Sequence, residues 1–299
     1  MQIIDDVITR IEDWKGRSVC IEPVSGGLTN TNYKVLVDGK LFFVRVPGES
    51  TQLLAVDRQN EYFNTRAAAE TGVGPQVHYY LPEYQVMVLE FLEGTTMSNS
   101  TLNTPGMPTK IAEAISRLHS GPRFLTDFNM FRLTEYYLDI CKKRDIHIPD
   151  GYPERLPTIQ RIEQAVAVHP LPTRPCNNDL LAENYIFDGN SLYIIDYEYS
   201  GNNDPCFELG NTCQELNYDE HRIAEVCEAY FGSLKMNMIS RMKLYMIMSD
   251  VGWALWAAIQ SKISKIEYDF WGWAVERWGR AVEKMDSKEF PTWLENVQS

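Results

Sequence analysis

Over the first ninety or so residues the apolar positions recur with a period close to two. Residues 19–24 and 33–37 alternate or run β-branched, and Asp38-Gly39-Lys40 turns the chain into Leu41-Phe42-Phe43-Val44-Arg45-Val46. Asp-Gly between two such runs is a strong hairpin signal, because both residues tolerate the left-handed backbone of a two-residue turn. A helix is expected over 57–70, then strands around 77–80 and 85–89, and Gly94 closes the block. Beyond it the period lengthens to that of a helix, over 107–119, 131–145, 154–168, 206–231, 236–263 and 267–286. Pro170, Pro172 and Pro175 set off a non-helical island at 176–200. The pattern predicts an α+β chain of two lobes, a small β-rich one at 1–93 and a larger, mostly helical one at 94–299.

The island holds the candidate chemistry. Tyr185-Ile186-Phe187 and Leu192-Tyr193-Ile194-Ile195 read as two short strands joined by a polar turn, Asp188-Gly189-Asn190-Ser191. Closing that hairpin sets Asn184, just before the first strand, beside Asp196, just after the second, about 5 Å apart as cross-strand neighbours are. Asp179 lies on the loop leading in, five residues before Asn184. Two carboxylates and a carboxamide thus converge, a set of hard oxygen donors suited to Mg²⁺. Phosphoryl transfer needs such a layout: one Asp for the proton of the attacking hydroxyl, an Asn and a second Asp for the metal that bridges the phosphates. The Asp179-to-Asn184 spacing matches the kinase catalytic loop, Asp-Leu included. By itself D-x-x-x-x-N is a weak signal, and a polar turn followed by a helix cap at Asp196 is the plain alternative.

Three stretches together, Asn178-Asp179-Leu180-Leu181-Ala182-Glu183-Asn184, Ile195-Asp196-Tyr197-Glu198-Tyr199-Ser200 and Gly210-Asn211, resemble the choline/ethanolamine kinase family, relatives of the aminoglycoside phosphotransferases. The resemblance runs through both lobes and implies the two-lobed protein-kinase-like fold, ATP and Mg²⁺ as cofactors, and a small cationic amino alcohol as acceptor. It implies Asp179 as catalytic base and Asn184 and Asp196 as magnesium ligands, with Glu198 close to the metal. Ser25, Gly26, Gly27, Thr29 and Asn30 resemble the loop that covers the phosphates, although this segment taken alone reads as a turn. Arg45 stands where the kinase lysine would hold phosphates, with Glu61 as its partner. Glu90 and Leu92 fall in the segment whose main chain would grip adenine. The family's usual His before the Asn-Asp pair is replaced by Asn177, a position expected to brace the loop.

Trp253 and Trp256 are three residues apart, hence on one helix face. The run from Trp256 to Glu267 resembles the family's C-terminal signature, and ring faces attract quaternary ammonium ions. Glu215 falls where the family has an acidic residue beside such a cage; Tyr218, Phe270 and Trp273 are further lining candidates. A stripe of Trp at helical spacing is more often core, the reading taken for Trp271 and Trp278.

Net charge is −13, from 28 basic and 41 acidic residues, which opposes a nucleic-acid partner and suits a cationic substrate. No apolar run is long enough to span a bilayer, the N-terminus lacks the signature of a signal peptide, and the six cysteines form no CxxC pair. A cytoplasmic protein with reduced thiols is therefore expected. Two rivals remain open on the residues: a phosphotransferase for aminoglycosides or another small molecule, and a catalytically impaired module that binds choline or nucleotide.

Overall fold

A computed structural model describes residues 3–24, 30–48 and 51–299. The N-terminal part forms α1 (Ile3–Arg10), β1 (Val19–Val24), β2 (Asn30–Val37), β3 (Lys40–Pro47), α2 (Arg58–Glu70), β4 (Val77–Leu81) and β5 (Val86–Glu90). The strands make one antiparallel sheet in the order β1-β2-β3-β5-β4. Asp38 and Gly39 form the expected two-residue turn, with φ of 46° and 86°. Ile4, Val7 and Ile11, with Trp14, pack on Val35, Val44 and Val88 of the sheet. The sequence pattern did not predict that helix, since eight residues, about two turns, give little periodic signal. Asp57 caps α2, accepting from the backbone N–H of Gln59 and Asn60.

The rest comprises β6 (Thr95–Thr96), α3 (Asn99–Leu102), α4 (Met107–His119), α5 (Met130–Lys143), α6 (Leu156–Val168), β7 (Arg174–Cys176), β8 (Tyr185–Phe187), β9 (Leu192–Ile194), β10 (Gly201–Asn203), α7 (Pro205–Glu215), α8 (Glu220–Phe231), α9 (Met236–Ile263), α10 (Phe270–Met285) and α11 (Phe290–Asn296). The expected single helix over 206–231 is two helices. Asn217 adopts a left-handed φ of 50° and Asp219 caps α8 through the Arg222 N–H, so the break is local turn chemistry within a continuing apolar pattern.

Helix α9 is buried from Ile239 to Gln260 and forms the axis of the larger core, packed by α5, α7, α10 and α11. Gly210 lets α7 lie against it: a Cβ there would sit 2.5 Å from Met242 O. Leu54, Val56, Ala67, Ala68 and Val73 belong to this larger core although they precede the helical part in sequence. Helix α2 thereby ties the sheet to the helical lobe, and Ile194 N–H donates to Val73 O at 2.8 Å. This is the protein-kinase-like α+β architecture.

Candidate active site

The hairpin β8–β9 pairs Tyr185 with Ile194, and Ile195 N–H donates to Asn184 O at 3.0 Å. Asn184 and Asp196 therefore meet at its open end. Asn184 Nδ2 donates to Asp179 O at 2.7 Å, which leaves its amide oxygen for a cation. Asn177 braces the loop from both sides: Nδ2 donates to Asp196 O (2.6 Å) and Ile195 O (3.2 Å), and Oδ1 accepts from Asp179 N–H (3.1 Å). Asn178 and Asp196 are both left-handed, with φ of 70° and 64°. Such conformations persist in non-glycine residues only when surroundings impose them. Asn178 is held by its N–H on Glu208 Oε2 (2.7 Å) and its Nδ2 on Tyr199 O (3.1 Å).

Burial pushes the Asp179 carboxyl well above the usual carboxylate range, Asp196, Glu215 and Glu198 add repulsion, and Arg277 opposes them. Glu198 is raised too, first by burial and then by Asp196. Burial is the larger cause in both, and the repulsion that adds to it is offset only in part by nearby cations.

The cations beside Glu198 come from the sheet and α2. Arg45 on β3 pairs with Glu61 (2.9 Å) as expected, and also with Asp196 (2.7 Å) and Glu198 (3.2 Å). Burial alone would lower its pKa, but the three carboxylates raise it above the ordinary value. Arg58, which the sequence reading missed, adds a second buried guanidinium, 2.6 Å from Glu61 and 3.2 Å from Glu198. Its i,i+3 spacing from Glu61 was the available signal. Asn30 bridges Arg58 (2.8 Å) and Glu198 (3.1 Å). Ser25, Gly26, Gly27 and Thr29 lie outside the described residues. Glu90 ends β5 with its N–H donated to Gln76 O at 2.8 Å, and Leu92 lies two residues on, past the strand.

On the other side, Tyr199 connects the hairpin to α9. Its hydroxyl accepts from Trp256 Nε1 at 2.6 Å and its ring meets Trp253 edge-on at 5.0 Å. Trp253 Nε1 donates to Asn211 Oδ1 at 3.1 Å. Trp256 in turn meets Trp273 (5.6 Å) and Phe270 (6.0 Å). Four of the candidate aromatics thus form one cluster, joined to the loop through a tyrosine that the motif contained without revealing its role.

Two candidates on this side have partners that the sequence did not suggest. Tyr218 is not part of the cluster: its hydroxyl donates to Leu102 O at 2.6 Å and its ring faces Arg222. Glu215 is present but is no bare counter-charge, because Arg277 holds both its oxygens, at 2.6 and 2.7 Å. Trp278 stacks on the buried Tyr152 (4.3 Å) as a core residue, whereas Trp271 is half-buried against the exposed His147 (4.7 Å) at the margin of the core.

The sequence profile of choline/ethanolamine kinase matches residues 21–231. The chain belongs to the choline/ethanolamine kinase family. A family protein from Mesorhizobium loti is 32% identical, with a TM-score of 0.87 over 99% of both chains. Choline kinase LicA from Streptococcus pneumoniae, 24% identical, shares the fold with a TM-score of 0.79 over 95% of this chain and 98% of its own; LicA is also known in complex with AMP. Ethanolamine kinase 2 from Rattus norvegicus is 26% identical over 89% of this chain and 76% of its own length.

As a member of this family the chain is an enzyme, a phosphotransferase that uses a nucleotide. All six cysteines are free thiols. Among the described residues no helix is long and apolar enough to cross a membrane.

Proposed function

We propose that this member of the family transfers the γ-phosphate of ATP to the hydroxyl of choline or a closely related amino alcohol, with Mg²⁺. The observation that carries the reading is the convergence of Asp179, Asn184, Asp196 and Glu198 at the open end of one hairpin, beside the Arg45–Glu61 pair. Asn184 Oδ1, Asp196 and Glu198 are the residues that would hold the metal; all are hard oxygen donors, and Glu198, raised first by burial and then by repulsion from Asp196, would be relieved by a divalent cation. When bound, the ion supplies charge neutralisation on the phosphates.

The chain's own residues do the rest. Asp179 orients the acceptor hydroxyl and takes its proton. Asn177 holds the Asp179 amide and the Asp196 carbonyl in one frame, the bracing expected of the family's His. Arg45, kept charged and anchored by Glu61, is the cation for the phosphates. The aromatic cluster of Trp253, Trp256, Phe270 and Trp273 supports a small choline-like alkylammonium acceptor over a polyamino sugar such as an aminoglycoside, for which an acidic pocket without ring faces would be expected. Steady-state ATP turnover against choline, ethanolamine, other amino alcohols and an aminoglycoside tests this. Choline or ethanolamine should be phosphorylated with the highest kcat/KM. Preferred turnover of an aminoglycoside, or none with any acceptor, would overturn it.

A further inference from the structure

Arg277 on α10 is among the most deeply buried side chains of the molecule, 1% exposed. Its guanidinium grips Glu215 through both oxygens (2.6 and 2.7 Å) and lies 3.3 Å from Asp250. The same group covers the Trp273 ring, 4.1 Å from its centroid. Asp250 is further held by Arg280 and by Gln214, each at 2.6 Å. Two carboxylates and two guanidiniums thus cancel at the wall of the aromatic cluster. They are also near the chemistry, since Glu215 and Arg277 both act on the Asp179 carboxyl, in opposite senses.

Buried ion pairs of this kind add little stability over apolar packing of the same volume, so stability alone does not account for them. Their effect on an incoming cation is larger. A bare Glu215 beside the rings would attract any ammonium and would accept hydrogen bonds from a primary one. With each oxygen already engaged by Arg277 and the charge cancelled, that advantage is much reduced. What remains for the acceptor's head is ring face, which binds a quaternary ammonium through its quadrupole without needing N–H donors. One face of Trp273 is itself covered by the arginine.

We propose that Arg277 is a specificity-determining residue of the acceptor site: by covering Glu215 and one face of Trp273, it favours a quaternary over a primary ammonium head. This rests on the amino-alcohol kinase reading above. Specificity then arises from denying a contact to the competitor as much as from a contact with the preferred acceptor.

The test is a mutant cycle of parent, Arg277→Met, Glu215→Gln and the double variant. It is read as the ratio of kcat/KM for choline to that for ethanolamine, with ATP KM and a thermal melt alongside. Arg277→Met uncovers a charged Glu215, so the choline-to-ethanolamine ratio should fall about tenfold, mainly through a lower ethanolamine KM. Glu215→Gln leaves Arg277 uncancelled, so KM for both cations should rise about tenfold or more. The double variant is neutral again, and its ratio should return to within about threefold of the parent. ATP KM should hardly change. Arg277→Lys keeps a paired charge but loses the planar fork, so it should fold even if the Met variant does not, with the ratio shifted about threefold the same way.

Parental ratios in the folded Lys and Met variants, or single effects that simply add in the double, would overturn the proposal and reduce Arg277 to a structural role. Calorimetric titration of choline and ethanolamine into the same proteins gives the ratio independently of turnover. A parent without phosphotransfer would therefore end the functional reading, while the binding ratio still decided the role of Arg277. A parent that bound neither amine would end both.

Discussion

At the hairpin end of the site, among the described residues, Glu61, Asp196 and Glu198 pair with two arginines, 45 and 58, while Asp179 forms no ion pair and feels Arg277 only as an opposing charge nearby. At the α9–α10 end, Glu215 and Asp250 face Arg277 and Arg280, and charge cancels. The first end is left with surplus negative charge, the condition for drawing in a divalent cation. The second sets a cluster of largely buried rings beside a neutral wall, which on the function proposed above reads a cation by ring contact rather than by hydrogen bonds. Two electrostatic arrangements lie within one fold, and on the function proposed above they answer different demands: one gathers charge, the other discriminates between cations.

Removing the base at the surplus end should have the largest effect. Asp179→Asn preserves shape and the Asn177 contact to its amide, so nucleotide and acceptor binding should stay close to parental while kcat drops about 10²–10⁴-fold. Single-turnover kinetics with separate binding titrations check it; a near-normal kcat would show that the carboxylate does not act on the proton.

At the neutral end a smaller change is expected. Trp256→Leu keeps bulk but removes the ring quadrupole and the donor to Tyr199. With a cation–π contact worth about 0.5–2 kcal/mol, kcat/KM for choline should fall about 3–30-fold, with ATP KM hardly moved. If the melt collapsed while kinetics per folded molecule stayed normal, the ring would be core, and the contrast between the two ends would lose its aromatic half.

The smallest effect is on stability. Burial outweighs Arg277 and Arg280 and pushes the Asp250 carboxyl up to about 6. A carboxyl raised on folding stabilises most when protonated, below its unfolded value, and that contribution is lost as pH rises through about 6. Compared with Asp250→Asn, the parent should therefore lose stability as pH climbs from about 4 to about 6 and stay level above about 7. Lost ion pairs give the variant a constant offset, so the pH dependence of the difference in Tm is the quantity to follow. A flat difference would mean that Asp250 is ionised throughout and that the neutral wall is made of fully charged pairs.

Apart from α1, α11 and the shortest strands, the sequence by itself determined the strands of the N-terminal sheet, most of the long helices, the β8–β9 hairpin and the meeting of Asn184 with Asp196. These follow from period, turn residues and strand pairing, all local along the chain. It also marked Arg45 with Glu61, and Trp253 with Trp256, through resemblance. It carried the split of 206–231 only as a hint in Asn217 and Asp219, because an unbroken apolar pattern hides a turn. Tertiary structure alone decided which charges meet. Glu215 and Arg277 lie 62 residues apart, and Arg45 and Asp196 lie 151 apart. No local pattern records such pairs, since Coulomb energy depends on distance in space and on burial, both of which are set only when the lobes and helices pack. Hence the same residue, Glu215, reads in sequence as a counter-charge for a ligand and stands in the folded chain already covered by an arginine.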